Sequence, residues 1–312
     1  MDTKKTFSIV IPVYGNEKNI PITVPYIMEH LSLFPDYNIE LIMVCDGSPD
    51  NSYELMKEYQ EKYPDIIKIA CFTRNFGQGA AIHCGMEMAS GDVIGVISCD
   101  LQDPFELFVE MLSFWKQGYK LVIASRSDRK DIGLSAVGSK IFQKIVHKFI
   151  NSRYPSGGFD FYLMDKEVAQ KFCQIDAPNG SVQMLFLWLG YEYKEITYVR
   201  QERSVGKSTW NLGRKIEAAI GLVTTYSTIA VRIFEVLGII LFFLSMIISC
   251  VSIVSAVILG LKTWCLLLIV IGISGIFTGL LLCSMGILGE YIWRTYDLTK
   301  DRPRYIIRDI RK

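Results

Sequence analysis

Two uncharged apolar runs stand back to back near the end of this chain, Val236–Leu261 and Thr263–Gly289, with only Lys262 between them. Each is about 26 residues long, and ~20 helical residues suffice to cross the hydrocarbon of a bilayer. Runs of this length without Asp, Glu, Lys or Arg have no place in a small water-soluble core. They predict a helical hairpin in a membrane, with spans at about 234–261 and 263–289. Roughly two hundred residues of ordinary polarity precede it, enough for one domain of usual size.

Charge sets the expected orientation. The net charge is +1, which offers no general attraction for nucleic acid. After the second run, Arg294, Lys300, Arg302, Arg304, Arg308, Arg311 and Lys312 outnumber Asp297, Asp301 and Asp309. Basic residues flanking a span stay on the cytoplasmic side. Two crossings return the chain to its starting side, so both termini are expected in the cytoplasm, with no signal peptide ahead of the domain. Eight cysteines without a CxxC pair fit reduced thiols rather than a disulfide framework. The three histidines are scattered, and His83 reads as a helix-surface residue.

The polar part alternates between two periodicities. Phe7–Val13, Ile39–Cys45, Ile66–Phe72, Val93–Ser98 and Leu121–Ala124 are near-continuous apolar runs of strand length. Helical patterns over Glu17–Leu33, Asp50–Tyr63, Gln78–Ala89 and Pro104–Gln117 separate them. Strands apolar on both faces, interleaved with helices, predict an α/β fold with a mostly parallel, Rossmann-like sheet covered on both sides. Ligands in such sheets bind beyond the carboxyl ends of the strands. Those ends carry Tyr14, Asn16 and Glu17, then Asp46, then Arg74 and Asn75, then Asp100, Gln102 and Asp103. A lone Asp at a strand end is as well explained by a helix N-cap. Four polar clusters on one rim point to a binding site.

Beyond the fifth strand the pattern loosens. Residues 126–160 contain an amphipathic helix at about Ser135–Ile150 among glycines, either a lid or a connection. Gly213–Ile233 sets basic and apolar residues at helical spacing, which suits a helix lying in the membrane interface, or one packed in the soluble core. Gly275 and Gly279 form a GxxxG, a packing seam within the hairpin or between copies in a homo-oligomer.

Asp100-Leu101-Gln102-Asp103 concentrates hard oxygen ligands at a strand end. A cation such as Mg²⁺ takes one or two protein carboxylates and fills its shell with phosphate oxygens. On a diphosphate it stabilises the charge of a departing leaving group. There is no GxxxxGK[ST], no kinase motif and no GxGxxG.

The successive motifs SIVIPVYGNEKNI, VCDGSPDNS, RNFGQGAA, ASGDVIGVISCDLQDP, GGFDFYLMDKE and RQERSVGKSTW resemble the family-2 glycosyltransferases of the GT-A fold. Within that family the chain is similar to the polyprenyl-phosphate glycosyltransferases, the bactoprenol glucosyltransferases and dolichyl-phosphate mannose synthases. The resemblance continues through the apolar runs into GEYIWRTYDLTKDRPRYIIR. It implies that Pro12, Tyr14, Glu17, Asp46, Arg74 and Gly79 hold the nucleotide sugar, together with Asp100. It implies a divalent metal, Mg²⁺ or Mn²⁺, on Asp100, Gln102 and Asp103. Where the family has Asp-x-Asp this chain reads Ser98-Cys99-Asp100. Asp160 falls at the catalytic carboxylate of the family's GDFRLxDR segment, whose Arg is Tyr162 here; the lesser alternative is an N-cap or buried Asp after Gly158. Arg200, Arg203, Lys207 and Ser208 would meet the donor diphosphate and the lipid phosphate.

The division expected is therefore a GT-A domain over 1–211, a juxtamembrane amphipathic helix over 212–233, the hairpin over 234–290 and a basic tail over 291–312. The activity implied is inverting transfer of a hexose, glucose from UDP-glucose before others, to undecaprenyl phosphate at the cytoplasmic face of the plasma membrane. The product would serve cell-surface polysaccharide modification. Its partners would be a nucleotide sugar, a polyprenyl phosphate and membrane lipids. Two alternatives stand: the same reaction with N-acetylglucosamine, mannose or aminoarabinose, or a membrane-anchored nucleotide-binding scaffold without turnover.

Overall fold

The computed structural model describes residues 4–126, 144, 146–148, 151–155, 158–175, 181–201, 221, 227, 229–259, 263–300 and 302–312. The chain divides into two compact units, residues 1–211 with 302–312, and residues 212–301. In the first, the elements run β1 (Lys5–Val13), α1 (Ile20–His30), β2 (Tyr37–Cys45), α2 (Ser52–Lys62), β3 (Ile67–Phe72), α3 (Gln78–Met88), β4 (Val93–Val96), α4 (Leu107–Lys116), β5 (Leu121–Arg126), β6 (Phe161–Asp165), α5 (Lys166–Cys173), α6 (Val182–Trp188) and β7 (Tyr193–Tyr198). The second holds α7 (Ile229–Leu259) and α8 (Thr263–Leu298), after which β8 (Ile307–Arg311) returns to the first.

One eight-stranded sheet has the order β7-β5-β6-β4-β1-β2-β3-β8. Its centre, β4-β1-β2-β3, is parallel, in agreement with the apolar runs that predict it. Successive residues point to opposite faces of a strand, and Ile9 and Val10, Leu41 and Ile42, and Ile69 and Ala70 all have no exposed surface, so each strand is covered on both faces. Phe7, Phe34, Phe105, Phe108 and Phe161 meet edge to face below the sheet, with neighbouring rings 4.7–5.8 Å apart. Gly95 makes this possible: a Cβ there would lie 2.4 Å from Phe108.

The chain lays down β1, β2 and β3 in one direction, then crosses to the far side of β1 for β4. That reversal opens a crevice above the carboxyl ends of β1 and β4, where ligands bind in such sheets. The register Val13↔Cys45↔Cys71 brings the ends of β1, β2 and β3 to one level. At the other end, buried Glu40 accepts from Ser8 and from the Ser90 amide and hydroxyl, and pairs with Lys68.

Some sequence expectations are revised. The last strand of the sheet is β8, paired antiparallel with β3. The segment read as a basic tail is thus divided, with α8 running to Leu298 and residues 307–311 joining the sheet. His83 is buried on α3 rather than exposed, its Nε2 3.2 Å from the Cys173 carbonyl. The expected helices at Ser135–Ile150 and 212–233, most of the 126–160 connection and Lys262 fall largely outside the described residues.

In the second unit, α7 and α8 have 31 and 36 residues, about 46 and 54 Å at 1.5 Å per residue. Both are long and apolar enough to cross a membrane. Val236, Ile239, Ile240, Phe242, Phe243, Ile276, Leu281 and Leu282 are exposed, an apolar surface suited to lipid. Gly238 lies 3.9 Å from Leu280, by a built Cβ, and Tyr291 donates to the Ser227 carbonyl at 2.7 Å, so the helices pack as an antiparallel pair. A Cβ at Gly275 or Gly279 would meet no described atom, so that GxxxG is not a seam between the described parts of the two helices.

Candidate active site at the carboxyl rim of the sheet

On the β1–β2–β3 side, short polar side chains bind backbone and lace the loops together. Asn16 caps its own turn by accepting from the Tyr14 amide at 3.0 Å. The Gly15 amide donates to Ser48 Oγ at 2.8 Å, the Asn16 amide to Ser52 Oγ at 3.0 Å, and the Glu17 amide to Asp50 at 3.1 Å. Burial pushes the Asp50 carboxyl up, but hydrogen bonds from Ser48, Ser52 and the Glu17 amide together hold it below its usual range. Glu17 in turn accepts from the Asn51 amide at 3.3 Å. Pro12, next to last in β1, is half-buried, and Tyr14, just past the strand's end, is exposed.

Asp46 works in the same way. It is 3% exposed, and its oxygens accept from the Phe76 amide at 2.6 Å and the Gly77 amide at 2.9 Å. Expected among the residues that hold the nucleotide sugar, it uses its carboxylate to hold the loop after β3. Burial raises its pKa above the ordinary carboxylate value, with those amides pulling the other way. Arg74, on that loop, is exposed and lies 4.0 Å over the Phe76 ring. Gly47 has φ +59°, and a Cβ there would sit 2.2 Å from the Arg74 carbonyl carbon. Gly79, in the first turn of α3, approaches Val182 at 3.3 Å.

The turn after β4 is built from charge. Leu101 takes a φ of +50°, unusual for a residue with a Cβ, and sets Asp100 and Gln102 on either side. Ser98 Oγ lies 2.7 Å from Asp100 Oδ1 and 2.8 Å from Asp103 Oδ2. Asp103 is fully buried; Tyr198 donates to its other oxygen, and Arg200 Nε lies 3.6 Å away. Gln102 is buried too, and exchanges two bonds with the Gln201 backbone, at 3.0 and 3.1 Å. The segment leading to the basic motif is thereby folded onto this turn. Arg203, Lys207 and Ser208 themselves lie outside the described residues.

These placements revise the expected ligand set. Asp103 has both oxygens engaged and no exposed surface, the placement of an internal anchor. Gln102 is zipped to residue 201. Asp100 is the carboxylate of this turn that is partly exposed at the rim. One protein carboxylate completed by diphosphate oxygens fits Mg²⁺ or Mn²⁺. Among the described residues no cluster of three or more acidic, His or Cys groups is arranged for a metal.

Asp160 precedes β6. Arg126 Nη2 donates to one of its oxygens at 2.5 Å and Gln183 Nε2 to the other at 2.9 Å, so the plane of the carboxylate is fixed. Burial alone would lower the pKa of Arg126, but Asp160, Tyr198 and Asp103 raise it, so the guanidinium is held charged. Tyr162 is 1% exposed, packs on Phe159 and Phe186, and its hydroxyl has no hydrogen-bond partner among the described residues. Its pKa is raised by burial and by Asp160. Arg126 escaped the sequence reading although it stands at the end of a recognised strand, as Asp46 and Asp100 do. Gln183 and Tyr198 carry no comparable signal.

With this geometry in place, the comparisons with known proteins are informative. Residues 8–172 match the family model described as glycosyl transferase family 2. The uncharacterized glycosyltransferase YkcC of Bacillus subtilis is 34% identical, with 96% of this chain and 93% of that protein covered. The prophage bactoprenol glucosyl transferase homolog of Escherichia coli K12 is 32% identical over 98% of this chain and 99% of its own length. The bactoprenol glucosyl transferase of Shigella phage SfV is 31% identical over 97% and 98%. Among solved structures, the mannosyltransferase PcManGT from Pyrobaculum calidifontis, in complex with GDP-Man and Mn²⁺, has a similar fold, with a TM-score of 0.50, 14% identity, and 70% of this chain and 62% of that one covered. A rim built for a charged ligand on a GT-A sheet, and relatives matched from end to end, lead to one conclusion: the chain belongs to glycosyl transferase family 2 and is a glycosyltransferase.

Proposed function

We propose that this enzyme transfers glucose from UDP-glucose to undecaprenyl phosphate, the bactoprenol carrier, with inversion at the anomeric carbon. The observation that carries this reading is full-length similarity to proteins named bactoprenol glucosyl transferase, covering the two long apolar helices as well as the sheet. A soluble acceptor would give the enzyme no need of a membrane hairpin.

In this reading an oxygen of the lipid phosphate attacks C1 of the sugar as the bond from C1 to the departing UDP breaks. A phosphate monoester is already anionic near neutral pH, so proximity and alignment contribute more than proton removal. Asp160, its plane set by Arg126 and Gln183, orients the acceptor or the sugar hydroxyls. Pro12, Tyr14, Glu17, Arg74 and Gly79 shape the nucleoside pocket, and Asp46 positions the Arg74 loop. Asp100 would hold a divalent cation, which when bound supplies charge stabilisation to the leaving diphosphate. Arg200, with Arg203, Lys207 and Ser208, would bring fixed cationic and hydroxyl donors to the phosphates. Pairing of β8 with β3 puts the residues on either side of the hairpin together, which supports two crossings, and the basic residues after α8 favour the cytoplasmic side.

The test is direct. Purified enzyme in lipid is incubated with undecaprenyl phosphate, Mg²⁺ or Mn²⁺ and a panel of labelled UDP- and GDP-sugars. Lipid-linked label from UDP-glucose above all others is expected. No lipid-linked label from any donor, alongside tight UDP binding, would replace the enzyme with a scaffold.

A further inference from the structure

The residues emerging from α8 do more than cover an edge strand. β8 pairs with β3 through Ile69↔Arg311, Ala70↔Ile310 and Cys71↔Asp309, and a register break follows at Cys71/Phe72. Past the break, the Thr73 amide donates to the Ile306 carbonyl at 3.0 Å. Polar contacts pin the strand along its length. Tyr53 donates to Asp309 at 2.5 Å, Arg311 pairs with Glu61 at 2.9 Å, and Arg308 donates to Cys71 Sγ at 3.2 Å. Arg304 donates to the Ile175 carbonyl.

Tyr305 sits where these contacts reach the rim. Its ring stacks on Phe72, the last residue of β3, at 4.7 Å and 14°. Its hydroxyl donates to Glu87 on α3. β3 and α3 are the two stems of the loop that carries Arg74, so one side chain ties both stems together. The contacts continue inward: Phe72 meets Phe76 edge to face at 5.8 Å, and Arg74 lies 4.0 Å over Phe76. Asp46 holds the same loop from the opposite side through the Phe76 and Gly77 amides.

We infer that Tyr305 is a positioning residue for the donor pocket: the segment following the membrane hairpin latches the Arg74 loop into the shape that receives the nucleotide. The inference rests on reading that loop as donor-binding. Tyr305 touches no reacting atom. It acts through the Phe72–Phe76–Arg74 stack and through Glu87, and it makes the pocket depend on the stretch of chain that follows the last apolar helix.

The experiment uses full-length protein in lipid nanodiscs, with Tyr305→Ala and the milder Glu87→Gln. UDP affinity and amide hydrogen exchange over residues 73–79 are measured without acceptor, then steady-state kinetics with both substrates. Loss of an aromatic stack corresponds to roughly a tenfold change in affinity. Tyr305→Ala is therefore expected to weaken UDP and raise the donor KM about tenfold, with faster exchange in 73–79. Glu87→Gln is expected to give about a twofold change in the same direction. The acceptor KM, and kcat at saturating donor, stay within about twofold of wild type. Unchanged UDP affinity and exchange in both variants would overturn the latch, as would an equal fall in kcat with no change in donor KM. If Tyr305→Ala does not fold, Glu87→Gln decides on the same readouts. UDP binding and exchange need no turnover, so a wild type that makes no lipid-linked sugar would count against the proposed reaction and leave this test intact.

Discussion

On the β1–β2–β3 side of the rim, polar side chains mostly take up backbone amides; on the β4–β5–β6 side they mostly meet one another. Ser48, Asp50, Ser52 and Asp46 between them accept from the amides of residues 15, 16, 17, 76 and 77. Across the crevice, Ser98, Asp100, Asp103, Tyr198 and Arg200 form one polar cluster, and Arg126, Asp160 and Gln183 another beside it. Amide-directed bonds fix loop shape through neutral donors, without an opposite charge bonded to the carboxylate. A cluster of charges fixes shape as well, but loss of one member leaves another buried and unpaired. The first design suits recognition of a rigid, flat nucleoside. The second suits the place where charge moves during transfer.

The comparison predicts its largest effect at Asp100. Replacement by Ala should lower transfer at least ~100-fold, the scale of removing a group that stabilises leaving-group charge. Thermal unfolding should hardly change, because Asp100 reaches the surface. Retention of most activity would remove the charged side of the rim from the chemistry.

Asp103, three residues on, should do the reverse. Its carboxylate is fully buried between Ser98, Tyr198 and Arg200. Asp103→Ala should cost about 3 kcal/mol, a fall in Tm of roughly 6–12 °C. Asp103→Asn, which keeps an acceptor for Tyr198, should cost about half as much. Equal Tm values for Asp100→Ala and Asp103→Ala would erase the distinction between ligand and anchor.

These two aspartates show what was legible in the sequence. Both stand at a strand end, and nothing in the residue pattern says which carboxylate points outward. Asp46 poses the same problem: the residue pattern does not say that its oxygens take the Phe76 and Gly77 amides. The parallel core was legible because strands buried on both faces leave continuous apolar runs. β7, Tyr-Lys-Glu-Ile-Thr-Tyr, is half exposed, and β8, Ile-Arg-Asp-Ile-Arg, is a charged edge strand, so neither leaves such a run. Moreover β8 pairs with a strand more than two hundred residues earlier, a contact that local pattern does not encode.

The amide-directed side is tested by two glycines of similar φ. Gly15 (φ +68°) has nothing within 4 Å of a built Cβ, whereas at Gly47 (φ +59°) a Cβ would overlap the backbone of Arg74. Gly15→Ala should cost about 1 kcal/mol, the backbone penalty alone. Gly47→Ala should cost about 2 kcal/mol or more, and should raise the donor KM by displacing the Arg74 loop. Similar costs and an unchanged KM for both would mean that the two loops are not locked together.

The smallest effects come from pH, and they separate two buried carboxylates of opposite character. Burial pushes Glu40 up, but Lys68, Ser8 and Ser90 together hold its folded-state pKa below the unfolded value. Its ionised form therefore contributes stability above the unfolded pKa, and that contribution is lost as pH falls through the folded one. Asp46 is shifted the other way, raised chiefly by burial. Its folded state takes up a proton more readily than the unfolded chain, so its contribution grows as pH falls into the interval between the two values. At pH 7, Glu40→Gln should cost about 1 kcal/mol, and this difference from wild type should shrink on acidification. For Asp46→Asn the cost relative to wild type should widen over the same descent, because the protonated carboxyl it replaces is the favoured form. Parallel slopes for the two variants would mean that amides at the rim stabilise a buried carboxylate as well as Lys68 does at the other end of the sheet, and the contrast between neutral and charged partners would fail.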